Sequence, residues 1–270
     1  MRIPMMAGNW KMNCDNDEAW DLASAVCDEV EDVENCQVVL CPPFTALSTV
    51  EEAIEDTDLA LGAQNLYWAE SGAFTGEVAA KMLLSCGCEY VIVGHSERRG
   101  RFGEAPETGE LLTVFGDNDA TVNKKVLAAL AADLRPIVCV GETIAERQAG
   151  QTDALIRDQV KAALAHVKAQ DTEDVIIAYE PVWAIGTGEV CDAKEANRVC
   201  GLIREVLGER FGQESAQEML VLYGGSMKPD NVRGLMAEEE IDGGLVGGAS
   251  LKAESFAELV RAAAEEKSES

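Results

Sequence analysis

The feature that most constrains the fold is a regular alternation of short apolar runs with longer amphipathic segments. The runs are too short for helices, and Val175–Tyr179 is rich in β-branched residues, which favours buried strands. The runs are Met5–Asn9, Val38–Cys41, Leu59–Ala63, Tyr90–Val93, Pro136–Val140, Val175–Tyr179, Met219–Tyr223 and Ile241–Val246. The helical segments between and after them are Asp17–Val30, Thr45–Ile54, Gly76–Leu84 with its loop, Asp119–Ala132, Ile144–Val167 as one helix or two, Ala193–Phe211, Pro229–Met236 and Ala253–Glu265.

Eight β/α units predict an α/β fold in which eight parallel strands close into a (β/α)8 barrel. Closure removes both edges of the sheet, whereas an open doubly wound sheet usually has about five or six strands and ranks second. No linker divides the 270 residues, so we expect one domain over 1–270. The segment 105–116 interrupts the alternation of strands and helices and is interpreted as an insertion. The polar tail 265–270 is expected to fray.

The charge balance excludes several classes of partner. The chain has 49 acidic and 22 basic residues, a formal net charge of −27. Nucleic acids and anionic membranes attract basic surfaces, so we expect neither as a partner. No apolar stretch approaches the roughly 18 residues of a membrane span, and the N-terminus lacks the form of a signal peptide, which predicts a cytoplasmic protein.

Nine cysteines is an odd number in a chain that is too large for a disulfide scaffold, and we interpret them as reduced, small core residues of a cytosolic protein. Cys86 and Cys88 could suggest a metal site, but only two histidines and no second cysteine pair are present. We therefore expect no metal and no cofactor. The histidine His166 shares its segment with Lys161 and Lys168 and is predicted to be exposed.

Polar residues recur just past the ends of the predicted strands, where the chemistry of parallel α/β proteins collects. They are Asn9, Lys11, Gln64, Asn65, His95, Ser96, Glu97, Glu142, Glu180, Ser226 and Gly247-Gly248. Any one of them could be a turn or cap residue. Their recurrence at nearly every strand end predicts that they face one mouth of the barrel.

Glu180 is the candidate general base. It lies at the carboxyl end of the buried run Val175–Tyr179, and Pro181 ends the strand. The loop that follows contains two glycines and extends to Gly188, and we expect it to move as a lid. Asp192 and Glu195 have capping-box spacing for the helix that follows. A solvated glutamate in an ordinary turn is the alternative.

The remaining groups suit a phosphorylated carbonyl substrate. The loops around Ser226 and Gly247-Gly248 offer unobstructed backbone N–H groups in the usual phosphate position of this fold, although ordinary β-to-helix turns also favour Gly and Ser. A short helix beginning at Ser96 would disfavour protonation of His95, leaving a neutral hydrogen-bond donor. Lys11 adds a fixed positive charge. Together these groups predict proton abstraction beside a carbonyl.

Long motifs in this sequence resemble those of the triosephosphate isomerase family. The motifs run in order from about Met5 to Leu259 and are Ala7-Gly8-Asn9-Trp10-Lys11-Met12-Asn13, Gly62-Ala63-Gln64-Asn65, Gly72-Ala73-Phe74-Thr75-Gly76-Glu77, Gly94-His95-Ser96-Glu97-Arg98-Arg99, Cys139-Val140-Gly141-Glu142, the stretch 178–188, Tyr223-Gly224-Gly225-Ser226 and the stretch 243–251.

The resemblance implies an isomerase that interconverts dihydroxyacetone phosphate and glyceraldehyde 3-phosphate. It implies that Glu180 moves the proton, His95 acts at the substrate oxygens, Lys11 and Asn9 stabilise an enediolate, and Glu97 positions Lys11 or His95. This family is itself the standard example of a carboxylate base acting with a neutral histidine beneath a closing loop. The implied phosphate-binding residues are Gly186, Ser226, Gly247 and Gly248, and Thr75 is the implied contact of a homodimer.

Three departures from the family pattern stand out. The insertion 105–116 is expected to lie outside the catalytic set. Gly244 stands where the family usually has Phe, which puts the packing beneath the eighth strand in question. The residues Glu189-Val190-Cys191 replace the usual hinge of the lid and affect the expected lid kinetics rather than the chemistry.

Two other functions remain open at the level of sequence. Another phosphate-binding barrel, a sugar-phosphate isomerase or epimerase, would share the glycine loops but would not need the motif 94–99 or the Glu180 lid. A barrel that only binds a phosphoester or a protein partner would not need Lys11, His95 and Glu180 together, and all three are present.

Overall fold

The computed structural model describes residues 2–101, 116–185, 189 and 191–268. Eight parallel strands form a closed barrel in which each strand pairs with the next and β8 pairs with β1. The strands are β1 Met5–Asn9, β2 Gln37–Cys41, β3 Ala60–Ala63, β4 Tyr90–Val93, β5 Arg135–Val140, β6 Ile176–Tyr179, β7 Val221–Tyr223 and β8 Gly243–Val246. The predicted fold class is confirmed, and the strand limits agree with the sequence prediction to within two residues.

Helices follow the strands along the outside of the barrel. The α-helices are α1 Asn16–Val30, α2 Leu47–Ile54, α3 Ala80–Leu84, α4 Asp119–Leu130, α5 Ile144–Gln148, α6 Thr152–Ala163, α7 Ala193–Phe211, α8 Gln213–Glu218, α9 Val232–Met236 and α10 Ala253–Ser268. The segment 144–167 therefore contains two helices, separated by Gly150 at φ +68°. Within Gly76–Leu84 only the last five residues are helical.

The strands are buried on both faces, which is why they read as continuous apolar runs. Along β1, Met5 and Ala7 belong to one cluster, made by alternate residues of the strands, which fills the barrel. Met6 belongs to the larger cluster between the strands and the helices. The mouth residues thus stand on a rigid, doubly packed scaffold.

The space beside Gly244 in β8 is filled, although the Phe that the family usually has at this position is absent. A Cβ atom on Gly244 would lie 2.7 Å from Met227 Sδ and 3.3 Å from Met6 Sδ. Both methionines are buried. Flexible thioether side chains therefore occupy the volume that a larger residue at 244 would need.

The capping box predicted for α7 is only half formed. Asp192 Oδ1 accepts a hydrogen bond from the backbone N–H of Glu195 at 2.9 Å. The Glu195 carboxylate does not return to the cap but accepts hydrogen bonds from Arg147 and Arg198. Two guanidinium groups compete successfully with one backbone N–H, because charge-assisted hydrogen bonds are stronger.

The first four residues of the tail 265–270 belong to the last helix. Helix α10 continues to Ser268. Arg233 of α9 forms ion pairs with Glu265 and Glu266, and Lys267 donates to the Glu238 carbonyl oxygen. These contacts with α9 and the turn after it account for the extra helical turn. Most of the insertion 105–116 lies outside the described residues.

The remaining side-chain predictions concern cysteine and histidine. All nine cysteines are free thiols, and Cys41, Cys139 and Cys200 are buried. His166 is exposed, as predicted, but it lies in the turn after α6 at φ +66° rather than on the helix.

Within the described ranges, no group of His, Cys, Asp and Glu could hold a metal ion, and no helix could cross a bilayer.

Candidate active site

A cavity of about 630 Å³ opens at the carboxyl ends of the strands. The ends of β1, β4, β7 and β8 contribute its walls, so residues far apart in sequence meet there. The predicted site residues that line it are Asn9, Lys11, His95, Ser226, Gly247 and Gly248. The predicted convergence of these residues on one mouth is therefore present in the structure.

Lys11 is held in an unusual backbone conformation. Its φ of +54° lies in the left-handed region, which is uncommon for a residue with a side chain. Asn9 Oδ1 accepts a hydrogen bond from the Lys11 N–H at 3.0 Å, and Gln64 Nε2 donates to the Lys11 carbonyl oxygen at 2.8 Å. The side chains after β1 and β3 thus fix the backbone that aims Lys11, and such strain is typical of functional sites.

Glu97 connects Lys11 with His95. Its carboxylate oxygen Oε1 lies 2.8 Å from Lys11 Nζ. Its backbone N–H donates to His95 Nδ1 at 3.2 Å. Nδ1 is thus the acceptor of a backbone hydrogen bond, and Nε2 is the ring nitrogen that faces the Glu180 carboxylate.

The local structure after β4 differs from the prediction. Residues 96–100 form hydrogen-bonded turns and not a helix of their own. The group that faces His95 Nδ1 is therefore one backbone N–H, that of Glu97, and not the first turn of a helix as predicted. Gly94 starts this turn at φ +71°, where a Cβ atom would lie 2.6 Å from Val122 Cγ2. Glycine lets the turn fold tightly against α4.

Glu180 directly follows β6 and is buried. Its Oε1 lies 3.0 Å from His95 Nε2 and accepts a hydrogen bond from Ser96 Oγ at 2.9 Å. Its Oε2 accepts a hydrogen bond from the Ser96 backbone N–H at 2.9 Å. The carboxylate is thus turned toward β4 and does not line the cavity. It must rotate to reach a bound molecule.

The surroundings of Glu180 keep it ionised. Burial raises the pKa of its carboxyl group, but His95 and the two donors of Ser96 together outweigh burial, so the pKa lies below its ordinary value. An ionised carboxylate at neutral pH is the form that a general base requires.

The two glycine loops form the wall facing His95. A Cβ atom on Gly247 would lie 3.4 Å from Lys11 Cε, whereas one on Gly248 would meet no atom within 4 Å. The backbone at Gly248 therefore faces open space beside the Lys11 ammonium. This arrangement suits a phosphate group bound by backbone N–H groups and a nearby cation. Gly186 lies outside the described residues.

Asn65 and Glu142 are among the predicted strand-end residues that do not line the cavity. Asn65 Oδ1 accepts a hydrogen bond from the buried Lys125 ammonium at 2.8 Å. Glu142 accepts hydrogen bonds from Trp183 Nε1 at 2.8 Å and from the Tyr179 hydroxyl group at 3.1 Å. Burial raises the pKa of Glu142, although these donors and Arg147 oppose the shift. Both residues support the site from below, and Glu142 anchors the start of the predicted lid.

Thr75 lies far from the cavity floor, in the loop 71–77, which is exposed throughout. Beside it, Phe74 is 42% exposed and contacts the ring of Tyr67 at a centroid distance of 4.6 Å. Tyr67 stacks in turn on Trp68 at 4.1 Å. The exposed ring of Phe74 next to Thr75 is thus supported by an aromatic stack.

A family model described as triosephosphate isomerase matches residues 4–263. The chain belongs to the triosephosphate isomerase family. Its similarity to the triosephosphate isomerase of Roseiflexus sp. (strain RS-1) is 48% identity over 260 residues, covering 96% of this chain and 97% of the relative. For the enzyme of Alkaliphilus oremlandii the identity is also 48%, covering 96% and 99%.

The solved structures agree. The chain is similar to the crystal structure of triosephosphate isomerase from Bartonella henselae, with a TM-score of 0.84 and 34% identity, covering 96% of this chain and 98% of the other. The membership predicted from the motifs is thus confirmed. In this triosephosphate isomerase family chain, sequence reasoning missed the role of Ser96, which supplies two of the donors to Glu180. Its position beside His95 in the motif 94–99 was the available signal.

Proposed function

We propose that this chain interconverts dihydroxyacetone phosphate and D-glyceraldehyde 3-phosphate by proton transfer through an enediolate. The observation that carries the proposal is the contact between the Glu180 carboxylate and His95 Nε2 at 3.0 Å, beside a cavity that Lys11 and the glycine loops line. This set supplies a base, an uncharged donor, a cation and a phosphate cradle.

The proton that Glu180 takes from one carbon of the substrate is returned to the neighbouring carbon, so the reaction needs no external acid or base. The Glu180 carboxylate removes a proton from C1 of dihydroxyacetone phosphate, and the electron pair moves to the carbonyl oxygen to give the enediolate. The Nε2–H group of His95, the Lys11 ammonium and the Asn9 amide stabilise this oxygen. A proton passes between the two oxygens through His95, and Glu180 returns its proton to C2.

Glu97 is a positioning residue in this scheme. It holds Lys11 through its carboxylate and His95 through its backbone N–H. The backbone N–H groups of Gly186, Ser226, Gly247 and Gly248 bind the phosphate group. The loop 181–188 closes over the substrate, which would otherwise lose phosphate from the intermediate. No cofactor takes part.

The test of this function is a coupled assay with each triose phosphate as substrate. The expected result is turnover in both directions, lost in His95→Gln and retained in a control such as His166→Gln, which changes the exposed histidine. Turnover of a pentose phosphate epimer pair without triose phosphate turnover would establish the rival sugar-phosphate chemistry instead.

The chain is further proposed to act as a cytoplasmic homodimer in glycolysis and gluconeogenesis, with Thr75 entering the partner subunit near its active site. The exposed loop 71–77 and the apolar surface at Phe74 support this proposal. In Thr75→Arg, an unpaired charge would be buried at the contact, which is costly. Sedimentation should show monomers of low activity, and an active dimeric variant would exclude this loop as the interface.

A further inference from the structure

Two lysines at the rim of the active-site cavity have no part in the proposed chemistry. Lys228 follows the β7 loop and Lys252 follows the β8 loop, and both line the cavity and are exposed. Across the parts of the chain that the structure describes, neither ammonium group forms an ion pair. Their charges are therefore available to a molecule that approaches the mouth.

The charge of the rim contrasts with that of the chain. The whole chain has a formal net charge of −27. Among the described residues, the cavity lining holds three lysines and a single aspartate, Asp230. The third lysine, Lys11, is paired with Glu97 at 2.8 Å. Lys228 and Lys252 therefore bring two further positive charges to the lining, against the one carboxylate of Asp230.

This contrast matters for a phosphorylated substrate. A phosphate monoester carries close to two negative charges at neutral pH. The acidic surface repels such a molecule at long range, and a cleft lined by positive charge focuses the field and raises the association rate. A local cationic rim is therefore most valuable on an acidic protein.

We propose that Lys228 and Lys252 steer the phosphorylated substrate into the mouth of the barrel and increase its rate of capture without acting in the chemical step. This inference rests on the proposed function. The lysines guide the dianion past the acidic surface, and the backbone N–H groups around Gly248 then take over its phosphate group.

The expected size follows from Coulomb's law in water. One unit charge about 10 Å from a dianion changes its local concentration by about fourfold without screening. Screening at an ionic strength of about 0.1 M reduces this to less than twofold, because the Debye length there is about 10 Å. Removing both charges should therefore lower kcat/KM by roughly tenfold at about 0.01 M salt and have little effect at about 0.5 M.

The experiment compares K228Q, K252Q and the double variant with the parent from low to high ionic strength, by initial rates at limiting and saturating substrate. The expected result is a lower kcat/KM at low salt, an unchanged kcat and a flatter dependence on salt. K228R with K252R should restore parental behaviour. The matched control is K168Q, which removes an exposed charge beside the amino end of β6, at the opposite end of the barrel.

The possible results separate the steering role of Lys228 and Lys252 from the proposed function itself. An equal loss in K168Q would show that total net charge, not the rim, sets the rate, and would overturn the inference. A fall in kcat, or a loss that persists at high salt, would place the lysines in binding or chemistry and overturn it as well. A double variant equal to the parent at low salt does the same. Failure of the proposed function is distinct, because the parent itself would then show no turnover.

Discussion

Shortening Glu180 by one methylene group tests the proposed base directly. In Glu180→Asp the charge is kept, but the carboxylate withdraws by about 1.5 Å. The contacts to His95 Nε2 and Ser96 Oγ, now 3.0 and 2.9 Å, would lengthen to about 4.5 Å, beyond hydrogen-bond reach. A misplacement of about 1 Å costs on the order of a hundredfold in rate, equivalent to about 2.7 kcal/mol in the activation barrier.

The same change has a smaller cost in stability. The carboxylate of Glu180 accepts charge-assisted hydrogen bonds in a buried position, and weakening them costs about 2 kcal/mol. For a chain of this size that lowers Tm by roughly 4–8 °C, which leaves the protein folded at room temperature. The backbone N–H groups of Gly247 and Gly248 are untouched, so affinity for a phosphorylated inhibitor should stay within about threefold, well under 1 kcal/mol.

The assay is steady-state turnover of triose phosphate in both directions, with inhibitor binding by calorimetry and Tm by circular dichroism. Glu254→Asp, an identical change at an exposed position of α10, is the matched control and should behave as the parent. Turnover of Glu180→Asp at the parental rate would refute the reasoning, and proton abstraction would then need a different base.

The other predictions concern stability, titration and the insertion. Tm should rise from very low to moderate salt, because screening relieves self-repulsion at a net charge of −27; a flat profile removes this argument. Gly244→Phe should lower the free energy of unfolding by about 1–3 kcal/mol in urea denaturation, and a further Met227→Ala should recover part of the loss by making room. Carbon-13 NMR should show Glu180 titrating below its ordinary range, and Ser96→Ala should raise that pKa by removing a donor. Because the folded-state pKa is lowered, the stabilisation from Glu180 is complete above pH about 4.5 and is lost as the pH falls through the folded-state value. Deletion of 105–116 should cost stability more than turnover; a folded, inactive deletion variant would show that the segment shapes the site.

The sequence predicted the barrel because each unit repeats the same signals. A short apolar run, a polar strand end and an amphipathic helix recur along the chain, and parallel strands bring all their carboxyl ends to one mouth. Asn9, Lys11, His95 and the glycine loops therefore meet in one cavity without any long-range information being needed. Their spacing in sequence was sufficient.

What the sequence could not predict depends on contacts between distant side chains. That Glu180 turns toward Ser96 and away from the cavity follows from three donors placed by β4. That Gln64, which follows β3, holds the Lys11 backbone after β1 depends on how the ends of β1, β2 and β3 are placed, since the same amide also donates to the Cys41 carbonyl oxygen of β2. No local sequence pattern indicates that Met227 fills the space beside Gly244, because a flexible side chain can adapt to many cavity shapes.

The rotation that brings Glu180 to a substrate must come from its side chain, because its backbone is fixed on every side. Its N–H donates to the Val140 carbonyl oxygen at 2.7 Å, and the next N–H along, that of Val182, donates to the Glu142 carbonyl oxygen at 3.1 Å. A Cβ atom on Gly141 would overlap the Glu180 carbonyl oxygen, and one on Gly224 would lie 3.0 Å from its Cγ. These glycines bring two neighbouring strand ends so close that the backbone at 180 has no room to shift. The carboxylate can therefore move between His95 and the cavity only by rotation about its own torsions, while its Cα stays in place.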